Sequence, residues 1–300
     1  VLHLLNGDAT LAVFPSSLPG RRAVWRDIMV EGPPVDDGTV RGSWLAPRLG
    51  VTLDQYEQGW REGQATLARA AADDEVILWF EQDLFCAVNL WFVLGRLPAS
   101  TSVSLIFPPL SETFGGLGTL ASGELARLFE GRRRLLGPTR AEAGTLWRAY
   151  ADSNPTLLAQ THASLDFSGE AVRLHLGRFP STAGGVDEIE QATLRALVAG
   201  PRPFDDLFRA VMRAPPLRRH GMGDVQYAAA LRDLVPLVAL DDPRGAFTGW
   251  RIALTSEGTA VLEGRRDGLV SRTLDRWLGG VRLQPRAPDW RWDGERLVRR

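Results

Sequence analysis

Residues 75–81 read EVILWFE, and the five from Val76 to Phe80 are apolar without a break. A strand with one wet face alternates apolar and polar side chains. An unbroken run fits a central strand covered on both faces, as in a parallel sheet flanked by helices. LHLL (2–5), RRAVWRD (21–27) and SVSLIF (102–107) are further strand candidates. Between them, LDQYEQGWREGQATLARAAA (53–72) has helical composition, with Leu53, Tyr56, Trp60 and Leu67 near helical spacing. AVNLWFVLGRL (87–97) reads as a buried helix. Strands alternating with helices at this pace predict an α/β fold whose mostly parallel sheet has strands near 2–5, 22–26, 76–81 and 102–107.

The carboxyl ends of these strands are polar. Strand one runs into Asn6, Gly7 and Asp8. Strand two ends at Arg26 and Asp27, with Glu31 just beyond. Strand three ends at Glu81, Gln82 and Asp83. Ligands of open α/β sheets bind beyond the carboxyl ends of the strands, and a parallel sheet brings these ends to one edge. Each residue has a structural alternative: Asp8 and Asp83 suit helix caps, and Arg26 can pair with Asp27 or Glu81. Capping alone does not call for Asn6, Arg26 and Glu81 together. The nine residues Asn6, Gly7, Asp8, Arg26, Asp27, Glu31, Glu81, Gln82 and Asp83 are therefore the candidate ligand-binding set. Several carboxylates beside one arginine could hold Mg²⁺ and a phosphate; they equally suit a neutral polar ligand. No metal is assigned and no cofactor is identified.

Residues 126–180 read as a helical connecting segment, and GRFPSTAGG (177–185) has linker composition. Residues 181–300 follow a different pattern. VDEIEQATLRALVAG (186–200), PFDDLFRAVMRA (203–214) and GDVQYAAALRDLV (223–235) are helices. LVAL (237–240) and WRIALT (250–255) form a hairpin, and a short helix closes the unit. Three helices and a two-stranded wing outline a winged-helix-like α+β domain. Leu194, Leu197, Leu207, Phe208, Leu231 and Leu234 should share its core, closed by Leu254 and Val261. The tail holds Trp277, Trp290 and Trp292 with six arginines after Gly280, and should pack back onto the body. The domain plan is thus 1–125, 126–180 and 181–300.

Other features exclude more than they assign. Cys86 is the single cysteine, so an internal disulfide is impossible. The chain has no lysine, which removes Schiff-base and P-loop lysine chemistry. The histidines 3, 162, 175 and 220 lack metal-ligand spacing. Gly116, Gly118 and Ala121 spell G-x-G-x-x-A but do not directly follow a strand, as a dinucleotide loop should. No membrane-length apolar run and no signal peptide are seen, so a cytoplasmic protein without a membrane partner is expected. Residues 1–125 carry 8 Arg against 15 Asp and Glu; residues 126–300 carry 27 against 21. The basic second part makes nucleic acid a candidate partner. Asp224 and Asp233 on the third helix make DNA the weaker candidate and a protein partner the stronger.

LHLLNGDAT, VWRDIMVEGP and ILWFEQDLFCAVNL together resemble the bacterial domain-of-unknown-function family number 1835, over roughly residues 1–125. GRFPSTAGGVDEIEQATL, GDVQYAAAL, LTSEGTAVLEG, RWLGGVRL and WRWD resemble the region that accompanies it. The resemblance implies a fold and an arrangement, not a reaction. Members often read W-F-E-H-D where this chain has Gln82. A catalytic histidine there would have no substitute in glutamine.

Two functions follow as expectations. The first is a small-ligand-binding α/β domain coupled to a winged-helix interaction module, as a regulator or adaptor. The second is a metal-dependent enzyme acting on a phosphate-bearing or nucleotide-like substrate.

Overall fold

The structure, a computed structural model, describes residues 1–109, 111, 114–284 and 290–299. The chain divides into two compact units: Val1–Asp152 with Gln160–Ala171, and Ser153–Ala159 with Val172–Arg300.

Unit 1 runs β1 (Leu2–Asn6), α1 (Asp8–Val13), β2 (Arg21–Trp25), α2 (Gly38–Leu49), α3 (Leu53–Arg69), β3 (Val76–Trp79), α4 (Leu84–Arg96), β4 (Val103–Ile106), α5 (Ser122–Glu130), β5 (Arg133–Arg134) and α6 (Gly137–Ala151). Its sheet has the order β2-β1-β3-β4-β5. The first four strands are parallel, as the apolar runs predict; β5 adds an antiparallel edge that its all-arginine sequence hides. All four residues of β3 are buried, as a strand covered on both faces requires.

Register aligns the carboxyl ends: Asn6 lies opposite Trp25, Leu5 opposite Trp79, and Trp79 opposite Ile106. The strand order reverses between β1 and β3, so the switch point of the sheet lies between the ends of those two strands. One face is filled by Leu5, Phe14, Ile77, Trp79, Ile106 and Leu125. His3 belongs to this core. Its Nε2 faces the Pro19 carbonyl at 3.0 Å and its Nδ1 accepts from Trp79 Nε1 at 3.1 Å. Both ring nitrogens are engaged in the neutral form, and burial lowers its pKa.

Unit 2 contains α9 (Glu188–Ala196), β6 (Arg202–Pro203), α10 (Phe204–Met212), α11 (Asp224–Asp233), β7 (Val238–Leu240), β8 (Arg251–Leu254) and α12 (Ser256–Leu262), while α7 (Thr156–Gln160) ends and α8 (Ser168–Leu176) begins in unit 1. The hairpin pairs Val238 with Leu254 and Leu240 with Ile252; β6 joins its far side, giving the antiparallel order β6-β8-β7. Leu194, Leu197, Leu207, Phe208, Leu231, Leu234 and Val261 share one buried cluster, with Leu254 packed against it.

The tail forms β9 (Arg276–Leu278), β10 (Val281–Leu283), β11 (Trp290–Trp292) and β12 (Leu297–Arg299). Arg272 reaches Glu190 at 2.7 Å, and Arg276 reaches Asp187 and Glu190 at 2.8 Å. The two arginines hold the Glu190 carboxyl below its usual range against the opposing effect of burial. The tail is thereby tied to the first turn of α9; Arg286 and Arg300 lie outside the described residues.

The linker expected at 177–185 is a correction. Phe179 is fully buried in a cluster with Leu274, Leu278, Val281 and Leu283. Gly184 N donates to Ser181 Oγ and Ser181 N to the Val186 carbonyl. Small and cyclic residues here build a packed turn; their composition reports bending, not exposure. No helix among the described residues is long and apolar enough to cross a membrane.

Candidate functional site

Asn6 is the last residue of β1. Its Nδ2 donates to Cys86 Sγ at 3.0 Å, and its Oδ1 accepts from Asn89 Nδ2 at 2.9 Å. Asn89 sits fully buried on α4. It also donates to the Asp27 carbonyl at 3.0 Å and accepts from Met29 N at 2.9 Å. One buried amide thus joins the ends of β1 and β2 to α4. The sequence reading missed it, although a lone Asn inside an apolar helix must find partners.

Gly7 follows with φ 106, a conformation open to glycine at little cost, and a Cβ there would meet nothing within 4 Å. The chain turns sharply here, and the space beside Gly7 is open. Asp8 does not cap α1. It takes a forked pair of bonds from Arg26, the shortest at 2.7 Å, and both side chains are about half exposed. Arg26 therefore pairs with Asp8, not with Asp27 or Glu81.

Asp27 points elsewhere. Its carboxylate accepts from Arg41 at 3.0 and 3.2 Å, from Tyr56 Oη at 3.0 Å and from Ile28 N at 2.6 Å. Arg41 is fully buried and also donates to the carbonyls of Pro33, Ile28 and Glu31. It faces the Trp60 ring at 5.7 Å. Burial opposes its charge, but Asp27 and Tyr56 hold its pKa up. The WRD–EGP loop is an arch built around this guanidinium, and Glu31 enters it through backbone N–H and C=O.

After β3 the chain delivers three different groups. Glu81 Oε1 accepts Leu117 N at 2.6 Å. Gly116 lies so close that a Cβ would stand 3.1 Å from the Glu81 carboxylate, and its φ is 134. The G-x-G-x-x-A stretch is therefore a loop fitted around a carboxylate. Gln82 faces β4's exit: its N donates to the Pro108 carbonyl at 3.2 Å and its Nε2 to the Phe107 carbonyl at 2.9 Å. Asp83 caps α4, accepting Cys86 N at 2.7 Å, and only 5% of it is exposed. Burial, and then the Glu81 carboxylate, push its pKa up to about 7 against the pull of the Cys86 N–H. Burial also holds the Cys86 thiol well above its usual range, with Asp83 and Glu81 adding to the effect.

The ligating atoms of Glu81, Asp83 and Cys86 lie within 4.8 Å of one another. Two carboxylates and one thiol make a mixed oxygen and sulfur donor set.

In unit 2 the third helix offers little to a nucleic-acid groove. Gln226, Tyr227, Ala228, Ala229 and Leu231 are buried, which leaves Asp224 and Arg232 as its exposed residues. Arg232 itself lies over the Trp250 ring at 4.6 Å.

No protein-family model matches the chain, and no curated protein matches it.

Proposed function

We propose that the chain is a two-part binding protein. Unit 1 takes a small polar ligand at the carboxyl ends of β1, β2 and β3. Unit 2 is a winged-helix-like module that works through protein contacts, as a regulator or adaptor. One observation carries the first half: Asn6, Cys86, Asn89, Glu81 and Asp83 converge at the β1/β3 switch point, with open space beside Gly7. Asn6, Gly7, Asp8, Arg26 and Glu81 are the ligand-facing members of the set. Asp27, Glu31 and Gln82 hold the rim through the contacts described above, and Asp83 supplies a buried acid near half-protonation at neutral pH. The LNGD, WRD–EGP and WFE-x-D stretches that build this rim are those that resemble the family number 1835. In this chain Gln82 fills a donor role toward the Phe107 carbonyl, a role open also to an imidazole N–H.

The helix and strand order α9-β6-α10-α11-β7-β8 supports the winged-helix-like half. The burial of α11 favours protein over DNA as its partner. Binding to random-sequence duplex is expected to be weak, with a shallow dependence on salt. A salt titration of the full chain checks this; a steep slope that is lost in Arg218→Ala/Arg219→Ala would move the chain to the DNA binders.

The second reading, a metal-dependent enzyme, is favoured by the closeness of Glu81, Asp83 and Cys86 alone. The two readings separate in a thermal-shift screen of the full chain against nucleotides, sugar phosphates and divalent metals. A stabilising organic ligand that needs no metal, and whose shift disappears in Asp8→Ala while that variant's own melting is unchanged, is the result expected. A shift that requires a divalent metal and disappears in Asp83→Asn would favour the enzyme.

A further inference from the structure

We propose that unit 1 carries a second cleft, at the carboxyl end of β4, that takes a carboxylate or phosphate borne on an apolar body. The cavity is about 280 Å³, near the lower end for small-molecule sites. Ile106, Phe107 and Leu128 give it an apolar wall, and Arg127, Arg133 and Asp166 give it charge. It opens on the sheet edge that carries the strand-end residues, because Ile106 lies opposite Trp79 in register.

Its electrostatics select an anion. Arg133 is paired with Asp166 at 2.8 Å. The Arg127 guanidinium is exposed on α5 and has no ion pair or hydrogen bond among the described residues. The lining holds two arginines, Arg127 and Arg133, against one carboxylate, so the positive charge exceeds what Asp166 neutralises. A guanidinium beside an apolar wall is suited to a forked bond to an oxyanion while the wall covers the rest of the ligand. Phe167, next to Asp166, has φ 65, a left-handed conformation that bulky residues rarely adopt. None of this depends on the strand-end reading.

The probes are phenyl phosphate and benzoate, with benzamide as the neutral control, in calorimetric titration and thermal shift of the full chain. At least one anion is expected to bind saturably and benzamide not to bind. Phenyl phosphate alone would identify a phosphate site, and benzoate alone a carboxylate site. Arg127→Ala should weaken the anion by about tenfold or more, and Arg127→Lys should recover part of the loss. Gly131 also lines the cleft, at φ −85, and a Cβ there meets only the Leu128 and Arg127 carbonyls at 3.8 and 3.9 Å. Gly131→Leu should therefore fold and exclude the probe. Asp8→Ala should bind it as the parent does, which separates this cleft from the strand-end site. The proposal is overturned if neither anion binds saturably, if benzamide binds as well, or if Arg127→Ala is indistinguishable from the parent.

Discussion

Replacing Arg41 by methionine is expected to lower the unfolding free energy of unit 1 by about 3–5 kcal/mol, the usual cost of leaving a buried charge without its partner. Arg41 is wholly inaccessible, and the Asp27 carboxylate it meets is 7% exposed. Methionine replaces the stem of the side chain but none of its donors. The Asp27 carboxylate keeps Tyr56 and Ile28 N, while the carbonyls of Pro33, Ile28 and Glu31 lose the guanidinium. Urea unfolding followed by tryptophan fluorescence measures the loss. Combining Arg41→Met with Asp27→Asn should recover part of it, because the uncompensated charge is then gone. A loss below about 1 kcal/mol would mean that the arch does not depend on this pair.

Asp83→Asn is expected to act in the opposite direction, with a pH dependence that identifies its cause. The folded-state pKa of Asp83 is about 7, against 3.8 for the ordinary carboxyl. Between those values the folded state holds the proton more tightly than the unfolded chain. The stability this contributes is complete below pH 3.8, falls as pH rises, and is gone above 7. Asparagine can still accept the Cys86 N–H but never ionises. The variant should match the parent near pH 4 and exceed it by a few kcal/mol near pH 8, on the order that such a shift represents. A variant less stable at pH 8 would assign Asp83 a purely structural role. A stabilised variant that no longer responds to ligand would show an acid kept at the expense of stability.

What the sequence disclosed follows from how strongly each signal depends on neighbours. The apolar runs at 2–5, 76–80 and 102–107 permit little besides covered strands, and parallel pairing then brings Asn6, Trp25 and Trp79 to one edge. The core of α9, α10 and α11 was legible for the same reason, since one-sided apolar spacing leaves few ways to bury it. Arg41 was not legible. Its helix carries Gly38, Gly42 and Pro47, which read as breakers, yet Asp37 caps its start and Gly42 admits Leu53 and Tyr56 of α3 closely. An arginine in such a stretch looks like solvated surface until the arch around it is seen. Asp27 and Asp83 looked alike as strand-end acids, and only the three-dimensional partners separate a counter-ion from a buried cap. Part of the arginine content of the second part is likewise structural, since Arg272, Arg276 and Arg291 are paired with Glu190, Asp187 and Asp267.

The claim that the carboxyl ends of β1 to β3 form a ligand site is tested most directly by amide hydrogen exchange of the full chain. The comparison is made with and without the compound that gives the largest stabilisation in the thermal-shift screen. Protection concentrated in residues 5–9, 26–31 and 80–89 is the predicted result, because those backbones form the rim and the α4 turn beneath it. Protection confined to residues 186–264, or spread evenly over both units with none added at the strand ends, would contradict the account.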